Sequence, residues 1–376
     1  MLVNRPPMGW NTWNTFGKDI SDQMVRQSAD AFETMGLKEA GYRYLVIDDC
    51  WSQKVRNAQT DRLEADPAKF PHSMKELADY VHGKGLKFGM YSCAGQRTCG
   101  DYPGSFDHEY LDAETFAQWD VDFLKYDFCY MPSGIAGALL YRRMGMALRA
   151  CGRDILFSAC NWGSDNVWQW IRSTGAHMYR STGDIFDNAE SYRRIAMSQL
   201  DKLGASAPQC FNDVDMLTVG MYGKGFVGTS GCNDADYRSQ FSLWCMFSAP
   251  LMLGCDIRSM NDATRDLVTN ADLIRINQDA EARPPQLLPY PWNEKLIVLM
   301  KHLDDGSYAL GFFNMDEEDG EISLTFSDFG MPVSSGYDLH TRSILGSEDE
   351  RVYREYMRLF VPAHDCKVFI ARPIRR

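Results

Sequence analysis

The sequence lacks any excess of positive charge: 39 Lys and Arg stand against 51 Asp and Glu, a formal net charge of −12 over 376 residues, with no basic run to interrupt it. So acidic a chain has no electrostatic footprint for nucleic acid or for an anionic membrane surface. No stretch approaches the ~20 uninterrupted apolar residues of a membrane span. The opening MLVNRPPMGWNTW has no apolar core of an export signal, so a cytoplasmic protein is expected. The 11 cysteines form no CxxC pair and have no neighbouring His. That argues against a zinc site and a full disulfide framework, and most are expected as free thiols. No GxGxxG follows the first candidate strand and no GxxxxGK(S/T) occurs, which removes the usual nucleotide-binding loops. Internal repeats and low-complexity tracts are absent as well.

What is present is an ordinary folded composition, 45% hydrophobic and 24% charged, enough to bury a sizeable core without metal or staples. Aromatics reach 12%, and rings with a polar handle suit partly polar ligands such as sugars. Between residues 8 and 280, short apolar runs alternate with stretches of helical period. Strands are expected at Met8–Trp13, Tyr42–Asp49, Lys87–Ser92, Phe123–Phe128, Ile155–Cys160, Met178–Asp184, Gln209–Met216 and Pro250–Gly254. Helices such as Ser21–Gly36, Ser73–Gly83, Gly134–Ala150, Ala189–Leu203 and Tyr237–Ser248 lie between them, many opened by Ser, Asp or Asn or closed by Gly. Eight such units predict a (β/α)8 TIM barrel over residues 1–283, with a doubly wound open sheet as the alternative. The proline-rich EARPPQLLPYPW then reads as a linker. Beyond it, alternating runs spaced by DDG, DEEDG and MPVSSG turns predict a C-terminal antiparallel β-sandwich over residues 284–376.

Barrel enzymes work at the C-terminal ends of their strands, and five strands here end in polar residues. These are Asp48-Asp49, Lys125 with Asp127, Asn161-Trp162, Arg180 with Asp184, and Asp213 with Asp215. Alternation puts Lys125 and Asp127 on one face, where the Lys charge would keep the carboxylate ionised, as a carboxylate nucleophile needs. A single Asp at a strand end is more often a cap or a loop acceptor, but five polar ends at one mouth suggest chemistry. An acidic cluster also suits a divalent cation, which Lys125 and Arg180 would oppose. Paired carboxylates with flanking aromatics fit glycoside hydrolysis better.

The motifs MGWNTW, YLVIDDCW, DRLEADPAKFPHSMKELADYVHGKGLKFGMYS, PGSFDHEYLDAETFAQWDVDFLKYDFCY, YRSTGD, FNDVDML and INQD occur in this order. Through them the chain resembles glycoside hydrolase family twenty-seven of clan D, the α-galactosidases and α-N-acetylgalactosaminidases, over essentially its full length. The resemblance implies a barrel followed by an antiparallel β-domain and a retaining double displacement without metal or organic cofactor. It makes Asp127 the nucleophile and Asp184 the acid/base, with carboxyls expected about 5–5.5 Å apart. It places Asp48 and Asp49 on the 4- and 6-hydroxyls of galactose, Lys125 on the sugar, Trp13 as an apolar wall and Tyr91 as a further contact. Arg180 and Asp215 would complete the 2-hydroxyl side, with Asn161 and Trp162 beside it. The implied substrate is an oligosaccharide or glycoconjugate with terminal α-linked galactose; homo-oligomers are common in such a family.

The resemblance also marks departures. Where related α-galactosidases read CEW, this chain has Cys160-Asn161-Trp162; Asn161 could still hydrogen-bond a hydroxyl, but loss of the Glu bears on the 2-substituent. Ala176 stands where some relatives carry the partner of Cys160, so Cys160 is expected to be unpaired. Cys99 and Cys129 match a family disulfide beside the nucleophile; without a visible export signal they are expected to be reduced. Retention of Asp49 favours galactose over L-arabinopyranose. The alternatives are an α-N-acetylgalactosaminidase, a β-L-arabinopyranosidase, or a catalytically silent galactose-binding protein. The Gly-rich stretch Gly220–Asn233 is a candidate loop on the leaving-group side.

Overall fold

The computed structural model describes residues 2–290, 292–345 and 350–376. Its first part is a sheet of eight parallel strands: β1 Met8–Asn11, β2 Tyr44–Val46, β3 Lys87–Cys93, β4 Phe123–Asp127, β5 Leu156–Cys160, β6 Met178–Arg180, β7 Phe211–Asp213 and β8 Leu251–Leu253. They pair in the order β7-β6-β5-β4-β3-β2-β1-β8. Just past the ends of β7 and β8, Leu217 N–H donates to the Met252 carbonyl (2.8 Å) and Gly254 N–H to the Leu217 carbonyl (2.9 Å), which curls the sheet closed. This is the TIM barrel rather than the open doubly wound sheet.

The barrel interior is filled by Tyr44, Val46, Phe123, Leu156, Met178, Phe211 and Met252. Room for these side chains comes from glycine: a Cβ on Gly9 would lie 2.4 Å from the Tyr44 carbonyl oxygen, and one on Gly89 2.7 Å from a Val46 methyl. Helices Asp22–Thr34, Met74–Gly83, Glu109–Gln118, Gly137–Ala150, Ala189–Met197 and Asp234–Met246 surround the sheet, with Asp262–Val268 and Ala271–Asn277 after β8. Ser21, Ser73 and Asn188 cap three of them through their side chains. Asn233 and Asp236 form a capping box, so the helix after β7 starts at Asp234, ahead of the expected Tyr237. After β5, two short 3-10 segments, Ser164–Gln169 and Ile171–Thr174, take the place of a helix.

Several expected strands prove shorter. Tyr42–Asp49, Met178–Asp184 and Gln209–Met216 each contribute only three residues to the ladder. The rest peels away because the aspartates take over the backbone: Asp48 accepts from Asp49 N–H, and Asp215 from Ile185 and Met216 N–H. Asp48, Asp49, Asp184 and Asp215 therefore sit on the loops that leave the strands, while Asp127 ends β4.

The remaining strands are β9 Gln286–Leu288, β10 Leu296–His302, β11 Tyr308–Asn314, β12 Gly320–Thr325, β13 Tyr337–Ser343, β14 Arg351–Tyr353, β15 Tyr356–Val361 and β16 Cys366–Arg375. They form an antiparallel six-stranded sheet, β14-β13-β16-β11-β10-β9, and a β12–β15 pair, the expected β-sandwich. The proline-rich segment is not a free linker: apart from Pro291, which lies outside the described residues, it includes β9, an edge strand on β10 where proline is tolerated. One face of the larger sheet, with Ile297, Leu299, Phe313, Val368 and Ile370, shares the barrel's core with Trp244, Cys245 and Met246. At that junction Lys301 is fully buried and donates to Ser248 Oγ and the Ile276 carbonyl, both at 2.6 Å. Among the described residues no helix is long and apolar enough to cross a membrane.

Candidate active site

At the C-terminal ends of the strands lies a cavity of about 150 Å³. Its floor comes from the first four strands. Asp48 and Asp49, which follow β2, are 1% and 2% exposed, so each carboxylate must be fully hydrogen-bonded. Asp48 Oδ2 accepts from Asn11 Nδ2 (2.7 Å) and Lys125 Nζ (2.8 Å); Asp49 accepts from the N–H groups of Cys50 (2.6 Å) and Gly100 (2.7 Å). Burial still pushes the Asp49 carboxyl up from its ordinary range, against those donors and the Thr98 hydroxyl.

Asp127 closes β4. Tyr91 Oη donates to its Oδ2 at 3.0 Å and Phe128 N–H to its Oδ1 at 2.9 Å. Burial raises it to about 6, opposed first by the charge of Lys125. The expected influence of Lys125 on Asp127 is thus present as a field, while its short ion pair is with Asp48. Burial would lower the Lys125 pKa, but the Asp48 charge prevails and keeps the ammonium protonated.

Across the cavity, Arg180 at the end of β6 bridges two carboxylates. Its guanidinium meets Asp184 Oδ1 at 2.6 Å and Asp215 Oδ1 at 2.7 Å. Asp184 is the exposed member, its side chain 66% accessible. Partial burial would raise its pKa, yet the charge and hydrogen bond of Arg180 together hold it below the ordinary range. Asp215, buried, is pushed up to about 6 despite Arg180. Asp215 holds φ +84°, a left-handed backbone that non-glycine residues seldom adopt, stabilised by Asp213 Oδ1 on its N–H and Trp244 Nε1 on its carbonyl. Because both carboxylates draw on one guanidinium, protonating either tightens Arg180 on the other.

The walls are apolar. Trp13, in the short helix Trp13–Phe16, meets the edge of Phe226 at 5.1 Å between centroids. Trp162 lies on the rim, 37% exposed, edge-on to Phe128. Phe186, Phe226, Asn14, Ile185, Met216 and Val227 also line the cavity and were not singled out from the sequence. Apart from Asn14, in the helix Trp13–Phe16, they lie on loops without periodicity; only the Gly-rich character of 220–233 could have signalled Phe226 and Val227.

Asn161 does not join the others. It is fully buried and not among the residues that line the cavity; its Nδ2 donates to the Ser164 carbonyl (3.0 Å), and its Oδ1 has no partner among the described residues. The reason is local: the 3-10 turn after β5 leaves a carbonyl that the Asn amide satisfies. Cys99 does line the cavity, and it is joined to Cys129 in a disulfide, where the sequence favoured a reduced pair. The loop after β3 folds back over the end of β4 and brings the two Cα atoms to 5.2 Å, within bridging range. The other nine cysteines, Cys160 included, are free. Cys99, Asp127 and Cys129 also approach one another as a three-ligand cluster, but disulfide sulfurs offer no thiolate to a metal.

The profile of the family described as Alpha galactosidase A matches residues 5–279, and that of the Alpha galactosidase C-terminal beta sandwich domain matches residues 293–371. The alpha-galactosidase A of Cellvibrio japonicus is 40% identical over 392 residues, covering 99% of this chain and 93% of its own. The alpha-galactosidase of Cyamopsis tetragonoloba is 39% identical over 373 residues, covering 99% of this chain and 87% of its own. Among solved structures, alpha-galactosidase I of Mortierella vinacea superposes with a TM-score of 0.89 at 30% identity, covering 98% of this chain and 97% of that one.

Proposed function

The chain belongs to the Alpha galactosidase A family of glycosidases, and from that premise we propose that it releases terminal α-linked D-galactose from oligosaccharides or glycoconjugates by a retaining double displacement. The observation that carries this reading is the pairing of two unlike carboxylates across one sugar-sized cavity. Asp127 is buried and fixed by Tyr91 and Phe128; Asp184 is exposed and held by a single guanidinium.

In the first step an Asp127 oxygen bonds to the anomeric carbon while the bond from that carbon to the leaving oxygen breaks, and Asp184 delivers its proton to that oxygen. In the second, water attacks the same carbon, gives a proton to Asp184, and frees the Asp127 carboxylate. Arg180 holds Asp184 in its ionised form in the free protein, so the acid form requires that hydrogen bond to be given up as the substrate enters. Asp215 keeps Arg180 paired when this happens. Asp48 and Asp49 each keep lone pairs to accept hydroxyls of the sugar, and a site built so penalises an analogue that misplaces them.

The test is a set of initial rates on nitrophenyl α-D-galactoside, α-N-acetylgalactosaminide and β-L-arabinopyranoside under one set of conditions, with the anomer released followed by proton NMR. The galactoside should dominate and α-galactose should appear first. Dominance of another glycoside would overturn the sugar assignment, and β-galactose as first product would overturn the mechanism.

A further inference from the structure

We propose that Asp187, which lies outside the cavity, is a positioning residue for its leaving-group side, clasping the 220–233 loop so that Phe226 is presented beside Trp13 as a platform for a leaving sugar. This rests on the α-galactosidase reading above.

Asp187 is fully buried, and among the described residues no cation lies within ion-pair distance of it. A buried carboxylate without a counter-ion is costly, so its donors matter. Both oxygens are used on one loop and the helix that follows it. Oδ2 accepts from Gly223 N–H at 2.6 Å, and Tyr237 Oη lies 3.0 and 3.1 Å from the two oxygens. Burial raises the carboxyl all the same, with Gly223, Tyr237, Cys232 and Thr218 opposing. Its backbone is engaged with the same loop: Asp187 N–H donates to the Val227 carbonyl, and its carbonyl accepts from Gly231 N–H and the Thr229 hydroxyl.

The loop needs such a clasp. Gly220, Tyr222, Gly223, Gly225 and Gly231 all take positive φ, and a segment this rich in glycine loses much conformational freedom on ordering. What it carries is Phe226, with Phe226 and Val227 N–H donating to the Thr15 and Asn14 carbonyls. The ring rests over Gly17, where a Cβ would come within 2.8 Å of it, so the seat is fitted to the ring. Yet Phe226 remains 59% exposed at the mouth. Phe186, next to Asp187 in the chain and 44% exposed, lies on the same rim. Open ring faces beside an acid/base suit the apolar face of a pyranose attached through the scissile oxygen.

The experiment compares kcat and KM on an α-galactosyl disaccharide, whose leaving group is a sugar, with those on α-galactosyl fluoride, whose leaving group is one atom, and with inhibition by free galactose. Asp187→Asn replaces one of the two oxygens that accept from Gly223 N–H and Tyr237 Oη by a donor and so weakens the clasp. The disaccharide-to-fluoride ratio of kcat/KM should fall by about tenfold, mainly through KM, with the galactose inhibition constant moving less than about twofold. Phe226→Ala, a change at an exposed ring, should lower the same ratio and keeps the test available if Asp187→Asn does not fold. A merely structural Asp187 would reduce the active fraction and lower both substrates alike, leaving the ratio fixed; that result, or an unchanged ratio in Phe226→Ala, overturns the proposal. Absence of turnover on both substrates in the unaltered protein would overturn the α-galactosidase reading as well.

Discussion

The floor of the cavity and its rim are built in opposite ways. Asp48, Asp49 and Asp127 follow or close strands and are almost inaccessible, and each accepts at least two hydrogen bonds from groups fixed by the barrel. The rim residues Asp184, Phe186, Phe226 and Trp162 stand on loops and are exposed by a third to two thirds. A rigid floor suits a sugar whose hydroxyls must be matched one by one. A rim of exposed rings suits a varied leaving group. On the proposed function, the contrast assigns recognition and release to different structural layers of one fold.

Replacing Asp127 by Asn should break the floor most severely, lowering kcat by a factor on the order of 10⁵ to 10⁶ on every substrate while the far-UV circular dichroism stays native. Asp184→Ala should separate the layers in kcat/KM, which reports the first step: a loss of about 10² to 10⁴ on sugar leaving groups, and a much smaller one on α-galactosyl fluoride, whose departure needs no proton. Equal losses on both would erase the distinction. Asp49→Ala should cost about ten- to a hundredfold in kcat/KM for galactosides, the scale of a charge-assisted hydrogen bond, with leaving-group preference unchanged. The smallest effect is that of pH. In the proposed mechanism Asp127 attacks in its ionised form, and its pKa is raised to about 6, so kcat/KM should fall as pH drops through about 6, approaching tenfold per pH unit below it. Lys125→Met, which removes the opposing charge, should move that limb to higher pH.

The two layers also differ in how far the sequence discloses them. Strand-end polar residues stand out because alternation and a sharp change from apolar to polar mark them, as in YLVIDDCW and FLKYDFCY. The barrel and the sandwich were legible for the same reason. Phe186 and Phe226 carry no periodic signal, since their position depends on long-range bonds such as Asp187 to Gly223, which only the closed barrel brings together. Asn161 differs in another way: it is a polar residue at a strand end whose amide nitrogen serves a neighbouring turn. The Cys99–Cys129 pairing turned on how a loop folds back, which compartment arguments do not reach.

Lys301 gives the β-sandwich a meaning beyond support. Its ammonium ends on a hydroxyl and a carbonyl of the barrel, and burial pushes its pKa down to about 8 from an ordinary value of 10.5. The depressed value means that the junction's contribution to stability is complete above the ordinary lysine range and declines as pH falls through about 8. Around it, Leu299, Phe313 and Val368 seal the helix that carries Trp244, the residue whose indole steadies the strained Asp215. A barrel cut free of the sandwich would present that apolar strip to water and invite self-association. The appended domain thereby serves as the outer face of the barrel on its apolar side.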